Sequence, residues 1–216
     1  MSAPSSSHSA VLAQFGLLCA IIVIMAFTPL GYVRIGMIEA TLLMIPVAIG
    51  AIRLGPLAGG LLGAVFGLTS YAQCFGMSPF GTLLLGINPA HTFIVCVVPR
   101  VLMGIFVALI YRACTKVKHV HADEQGSPDA VVLPMRSDGF SMGMSFLASA
   151  VLNTAFFLAF FFLLFGSTEF VSELRGTTPV FTFLISFVGI NGIAEAIVAT
   201  VGGTVIATAL NRATSI

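Results

Sequence analysis

From residue 10 to residue 210 the chain returns repeatedly to apolar runs, parted by short breaks rich in glycine and proline. Each run is close to the roughly 20 residues that cross a bilayer as a helix. That repetition leaves few folds open. In lipid every backbone amide must find its partner within the protein, so such runs become helices. Charge supports the same conclusion. Only 8% of the 216 residues are charged, against roughly 25% in an average soluble domain, too few to cover a water-facing surface. The expected fold class is all-α: an integral membrane bundle of six transmembrane helices with cytoplasmic N- and C-termini.

The breaks divide the chain. A first span over 10–27 stops at Thr28-Pro29-Leu30-Gly31. A second over 38–52 carries Pro46 inside it and is short for a straight crossing. Arg53-Leu54-Gly55-Pro56 is a tight turn, and a third span follows over 56–72. Residues 73–90 are too punctuated to span. A fourth span covers 91–111, a fifth, rich in Phe, covers 140–165, and an overlong sixth covers 179–210. Residues 1–9 read as a disordered polar tail without Lys or Arg, hence no signal peptide. Residues 10–212 form one membrane domain, whose aqueous segment is the 4–5 loop at 112–139.

Positive charge sets the orientation. Arg112, Lys116, Lys118 and Arg136 mark the 4–5 loop as cytoplasmic. Alternation then places Arg53 and Arg212 inside too, leaving Arg34 and Arg175 outside and Arg100 within the fourth span. The outer loops become 28–38, 73–90 and 166–178. A net charge of +1 offers no basic stripe to nucleic acid.

Two ionisable residues fall where lipid is expected: Arg100, directly after Pro99, and Glu195, in the sixth span. Charges inside a membrane are costly and mark either a site or a mutual pair. Two readings therefore stand, a structural Arg–Glu lock and an Arg100 that receives an anionic ligand group. Asn153, Asn191, Gln73 and Asn88 add buried or flanking amides, each a helix–helix contact or a ligand contact. His91 reads as an interfacial residue. Gly55, Gly59, Gly63 and Gly67 form a smooth face at spacing four, suited to close helix packing. Gly192, Ala196, Thr200, Thr204 and Thr208 form a second small stripe, and Gly16 with Ala20 a third. Cys19, Cys74, Cys96 and Cys114 lack metal-ligand spacing and read as packing residues.

Catalytic signatures are missing. The chain has no GxxxxGK[ST], no HExxH and no GxSxG with a suitable histidine. No aspartate lies in an expected span. No catalytic residue, cofactor or metal is expected.

Two stretches resemble a known family. Residues 28–70 (TPLGYVRIGMIEATLLMIPVAIGAIRLGPLAGGLLGAVFGLTS) and 98–104 (VPRVLMG) are similar to the S components of energy-coupling-factor (ECF) vitamin transporters, most of all to the pantothenate type. The resemblance implies a six-helix subunit of an ABC importer in the bacterial cytoplasmic membrane. It implies a vitamin bound in the outer half, with the first and third outer loops closing over it. It implies as partners a membrane T component and two cytoplasmic ATPases, the latter holding the P-loops absent here. The family's small motif on the first helix, which contacts the T component, corresponds to Gly16 and Ala20. For a pantothenate carboxylate and hydroxyls the matching groups are Arg100 with Asn153, Asn191, Gln73, Asn88 and Glu195. Another vitamin such as cobalamin or folate is the alternative substrate. The alternative classes are a membrane-embedded structural subunit and a lipid-handling enzyme. The enzyme would have to use Asp123, Glu124, Asp129 and Asp138, which lack DxxD spacing.

Overall fold

A computed structural model describes residues 8–29, 31–35, 38–115, 139–176 and 178–214. The polar tail over 1–7 and most of the 4–5 loop, with Lys116, Lys118 and Arg136, lie outside the described residues. The chain runs α1 (His8–Ala26), β1 (Tyr32–Ile35), β2 (Ile38–Thr41), α2 (Met44–Leu54), α3 (Pro56–Gln73), α4 (Pro79–Ile87), α5 (Pro89–Thr115), α6 (Gly139–Phe165), α7 (Glu169–Arg175) and α8 (Val180–Thr214).

Among the described residues four helices are long and apolar enough to cross a membrane: Ser9–Ala26, Pro89–Thr115, Phe140–Phe165 and Gly192–Leu210. Their outward faces carry large apolar side chains. Phe140 is 79% exposed and Leu163 77%. A soluble protein of this size would hide such residues or scatter them singly.

The expected second span is revised most. Residues 38–41 form a strand, and helix begins only at Met44. Pro46 therefore sits in the first turn of α2, where the backbone N–H would have no intrahelical partner anyway. With 11 residues, α2 is roughly 16 Å long, half a hydrocarbon core. Met44 to Ile52 are all buried, as expected for a helix that is apolar all round. Gly55, at φ 91°, ends α2, and Pro56 opens α3. A left-handed glycine followed by an N-terminal proline is a strong stop–start signal.

The glycine face of α3 packs inward, on α5. A methyl group on Gly63 would strike the carbonyl of Arg100, and one on Gly67 would lie 2.6 Å from the Val97 Cα. Gly104 returns the contact against the Gly59 carbonyl. Backbone meets backbone along this seam, which fixes where α5 presents its side chains. On α8, Thr200 and Thr204 approach Gly143 of α6, and Gly203 lies under the Phe146 ring.

The breaks hold short elements of their own. Leu42 N donates to the Gly31 carbonyl at 2.9 Å, closing the base of the β1–β2 hairpin, which pairs Tyr32 with Thr41 and Ile35 with Ile38. Within 73–90 lies α4, with Pro79 in its first turn and its Ser78 side chain accepting from Gly81 N at 3.3 Å. After α6 comes α7, capped by Thr168. One core gathers apolar residues of α1, α2, α3, α5, α6 and α8. A second joins α4, α5, α6 and α7 around Phe80, Phe161 and Phe165. The sixth span is overlong as read: α8 has 35 residues, roughly 52 Å.

Candidate functional site

Arg100 is built into α5 by the proline before it. Pro99 has no N–H, so the carbonyl of Val95, four residues earlier, loses its helical donor. The Arg100 side chain fills the gap, Nη1 donating to Val95 O at 2.8 Å. The guanidinium carbon lies 5.4 Å from the centroid of Phe66 on α3 and 5.3 Å from that of Phe157 on α6. Cation–π contact on two sides offsets part of the cost of burying the charge. The residue is only 8% exposed, and among the described residues its Nε has no hydrogen-bond partner.

Asn153 stands one turn before Phe157 on α6, on the same face. It is 4% exposed, and its Oδ1 also lacks a partner. Buried polar atoms are nearly always satisfied. Arg100 Nε and Asn153 Oδ1 are two exceptions to that rule among the described residues.

Glu195 is buried on α8, but Arg100 is not its partner. Its Oε1 accepts from Thr41 N at 2.7 Å and its Oε2 from Thr154 Oγ1 at 3.3 Å. Among the described residues the two groups make no contact of ion-pair length, and the Arg100 charge acts on Glu195 only from farther off. Gln73 is buried at the end of α3, and its Nε2 donates to the carbonyl of Ala26 at the end of α1. Asn88 caps α5: its Oδ1 accepts from Ala90 N at 3.0 Å and His91 N at 3.1 Å. The His91 ring stands edge-on to Phe165, centroids 5.8 Å apart. Asn191 lies in α8, with its side chain outside the described residues.

Arg100 thus contacts the Phe157 ring, one turn from Asn153 on α6, while Gln73, Asn88 and Glu195 are on protein partners. Sequence reading missed Phe66, Phe157, Thr41 and Thr154. Phe157 had a signal, since it lies one helical turn from Asn153 and in a run of phenylalanines. Its ring stacks on Phe161, and that on Phe165, at 6.0 and 5.9 Å. Cys74 and Cys96 are buried with their sulfurs 3.8 Å apart.

Gly16 and Ala20 are exposed on α1, and nothing lies within 4 Å of a methyl group placed on Gly16. Beside them an apolar cleft of about 560 Å³ runs between α1, α2 and α8, past Leu17, Ile21, Pro46 and Val198.

Apolar helices turned outward, around a buried guanidinium with hydrogen-bonding capacity to spare, define a helical membrane protein suited to holding a polar solute. The chain belongs to the substrate-specific components of ECF transporters, whose family pattern matches residues 11–207. Members are the substrate-binding parts of transporters and not enzymes, and they work with small-molecule substrates and coupling partners. The chain is similar to the pantothenic acid transporter PanT of Lactococcus lactis subsp. cremoris (strain MG1363), 28% identical over 188 residues, covering 82% of this chain and 80% of the relative.

Proposed function

We propose that this chain captures pantothenate for an ECF importer, with Arg100 receiving the carboxylate and Asn153 a hydroxyl. The observation that carries the reading is the pair of unpartnered buried atoms, Arg100 Nε and Asn153 Oδ1. A ligand with an anionic acceptor and a neutral donor satisfies both, and pantothenate has both. The named activity of the relative supports the same ligand. Phe66 and Phe157 hold the guanidinium in place and keep the contact dry, which strengthens a charge-assisted hydrogen bond.

The wider reading has six spans in a bacterial cytoplasmic membrane, α2 and α3 completing the count, with both termini cytoplasmic. Energy comes from a T component and two ATPases. The uncovered Gly16–Ala20 face of α1 is the docking surface for the T component. Gln73, Asn88 and Glu195 are taken out of the ligand set, because each already holds a protein partner.

The test is calorimetry on the detergent-solubilised chain without ATP. Pantothenate should bind stoichiometrically, and more tightly than any other member of a B-vitamin panel that includes cobalamin and folate. Binding of another vitamin, with none of pantothenate, refutes the substrate.

A further inference from the structure

Buried side chains from distant helices hold the end of α1, ahead of the β1–β2 hairpin, and the last residue of the hairpin itself. Before it, Gln73 of α3 holds the last carbonyl of α1, at Ala26. After it, Glu195 of α8 holds the backbone N–H of Thr41, the last residue of β2, at 2.7 Å. Thr41 is itself 4% exposed, and its Oγ1 accepts from Leu43 N at 3.3 Å, leading into α2. The second carboxylate oxygen of Glu195 takes the hydroxyl of Thr154. Thr154 is the neighbour of Asn153 and lies one turn from Phe157, which carries Arg100. One buried carboxylate thus joins the hairpin to the stretch of α6 that carries Asn153 and the Phe157 ring against Arg100.

We propose that Glu195 is a positioning residue that fastens the β1–β2 hairpin to this stretch of α6, and through Thr154 steadies the turn that carries Asn153, so that losing it shortens ligand binding. The link to ligand rests on reading Arg100 and Asn153 as the groups that bind it; the fastening itself does not. A side chain that needs only to accept from Thr41 N can be uncharged. A side chain serving as a charge cannot.

Two substitutions separate these roles. Glu195→Gln keeps an acceptor at the same reach, and its amide can donate to the Thr154 hydroxyl, which accepts as well as donates. Glu195→Asp keeps the charge and withdraws it by roughly 1.5 Å, one C–C bond, breaking a 2.7 Å contact. Amide hydrogen exchange of the full chain in detergent reads the hairpin directly. The segment 38–42 is expected to exchange about tenfold faster in Glu195→Asp, and within about threefold of wild type in Glu195→Gln. With radiolabelled pantothenate, the dissociation rate should rise about tenfold in Glu195→Asp and stay near wild type in Glu195→Gln, with association little changed.

The reverse order, Gln severe and Asp mild, overturns the proposal and makes Glu195 a charge partner. So does a hairpin equally protected in both variants. If Glu195→Asp does not accumulate, Glu195→Leu replaces it, with the same expectation of faster exchange over 38–42. If wild type binds no pantothenate, the ligand reading fails, and the exchange measurement still decides the fastening.

Discussion

Replacing Arg100 by alanine tests the site most directly. Among the described residues the side chain makes one hydrogen bond, to Val95 O at 2.8 Å, and two ring contacts. Its Nε is unused. Alanine removes the charge-assisted bond to a ligand carboxylate, a loss of roughly 1.5–3 kcal/mol. At 1.4 kcal/mol per decade, that is about a 10- to 150-fold rise in Kd. The same change orphans the Val95 carbonyl, at about 1–3 kcal/mol of stability, and empties the space between Phe66 and Phe157. Affinity and stability must therefore be read separately, by equilibrium binding of radiolabelled pantothenate and by thermal unfolding in the same detergent. Arg100→Lys sharpens the comparison, since it keeps the charge and loses the planar donor set and ring stacking. It should bind more tightly than Arg100→Ala and less tightly than wild type. Affinity within about threefold of wild type in Arg100→Ala, with the unfolding temperature lowered, would show Arg100 to be purely structural and refute the site.

Asn153→Leu removes an unpartnered acceptor from a buried position, so it should weaken pantothenate binding about tenfold while leaving thermal stability equal or higher. Asn88→Ala should do the opposite: loss of the α5 cap costs about 0.5–2 kcal/mol, read as a lower unfolding temperature with unchanged Kd. Gly67→Ala places a methyl 2.6 Å from the Val97 Cα, where neither backbone can yield alone; it should destabilise by about 1–3 kcal/mol, and wild-type stability would show that the α3–α5 seam is looser than described. Gly16→Leu, on the open face of α1, should abolish pantothenate uptake by cells while sparing binding to the purified chain, and loss of binding would remove the docking role.

What the sequence made legible follows the length scale of each signal. Long apolar runs are read by composition, so α1, α5, α6 and the apolar part of α8 fall near their expected places. The Gly55–Pro56 turn is legible because φ 91° favours glycine and the first turn of a helix readily takes proline. The hairpin was not. Ile38 to Thr41 run directly into the apolar helix that follows, and a four-residue strand carries no period long enough to distinguish it from helix. The ionisable residues Arg100 and Glu195 stand out in any apolar run, but their partners do not. Glu195 binds a backbone N–H 154 residues away, and a backbone donor leaves no trace in side-chain identity. Phe66 and Phe157 are two of 19 phenylalanines, and only the packing of α3 and α6 against α5 selects them.

The absence of an Arg100–Glu195 bond is what leaves the site usable. A buried ion pair is broken only at high cost, because removing one partner leaves the other charged and dry. A ligand carboxylate arriving at a paired Arg100 would have to displace Glu195 and leave it stranded. Here the carboxylate is occupied by Thr41 N and Thr154, and the guanidinium by two ring faces and a carbonyl that Pro99 set free. Ring faces and a neutral carbonyl hold a cation without neutralising it. Glu195 acts on the guanidinium only from beyond contact distance, so an incoming anion displaces no direct ion pair. The proline is part of this design. With an N–H at position 99 the Val95 carbonyl would close the helical ladder, and Nη1 would lose the acceptor that now helps fix the guanidinium between the rings. Pro99→Ala should therefore leave α5 intact or straighter, and weaken pantothenate binding by loosening Arg100 rather than by removing it. Unchanged affinity in Pro99→Ala would show that the two phenylalanines alone hold the guanidinium in place.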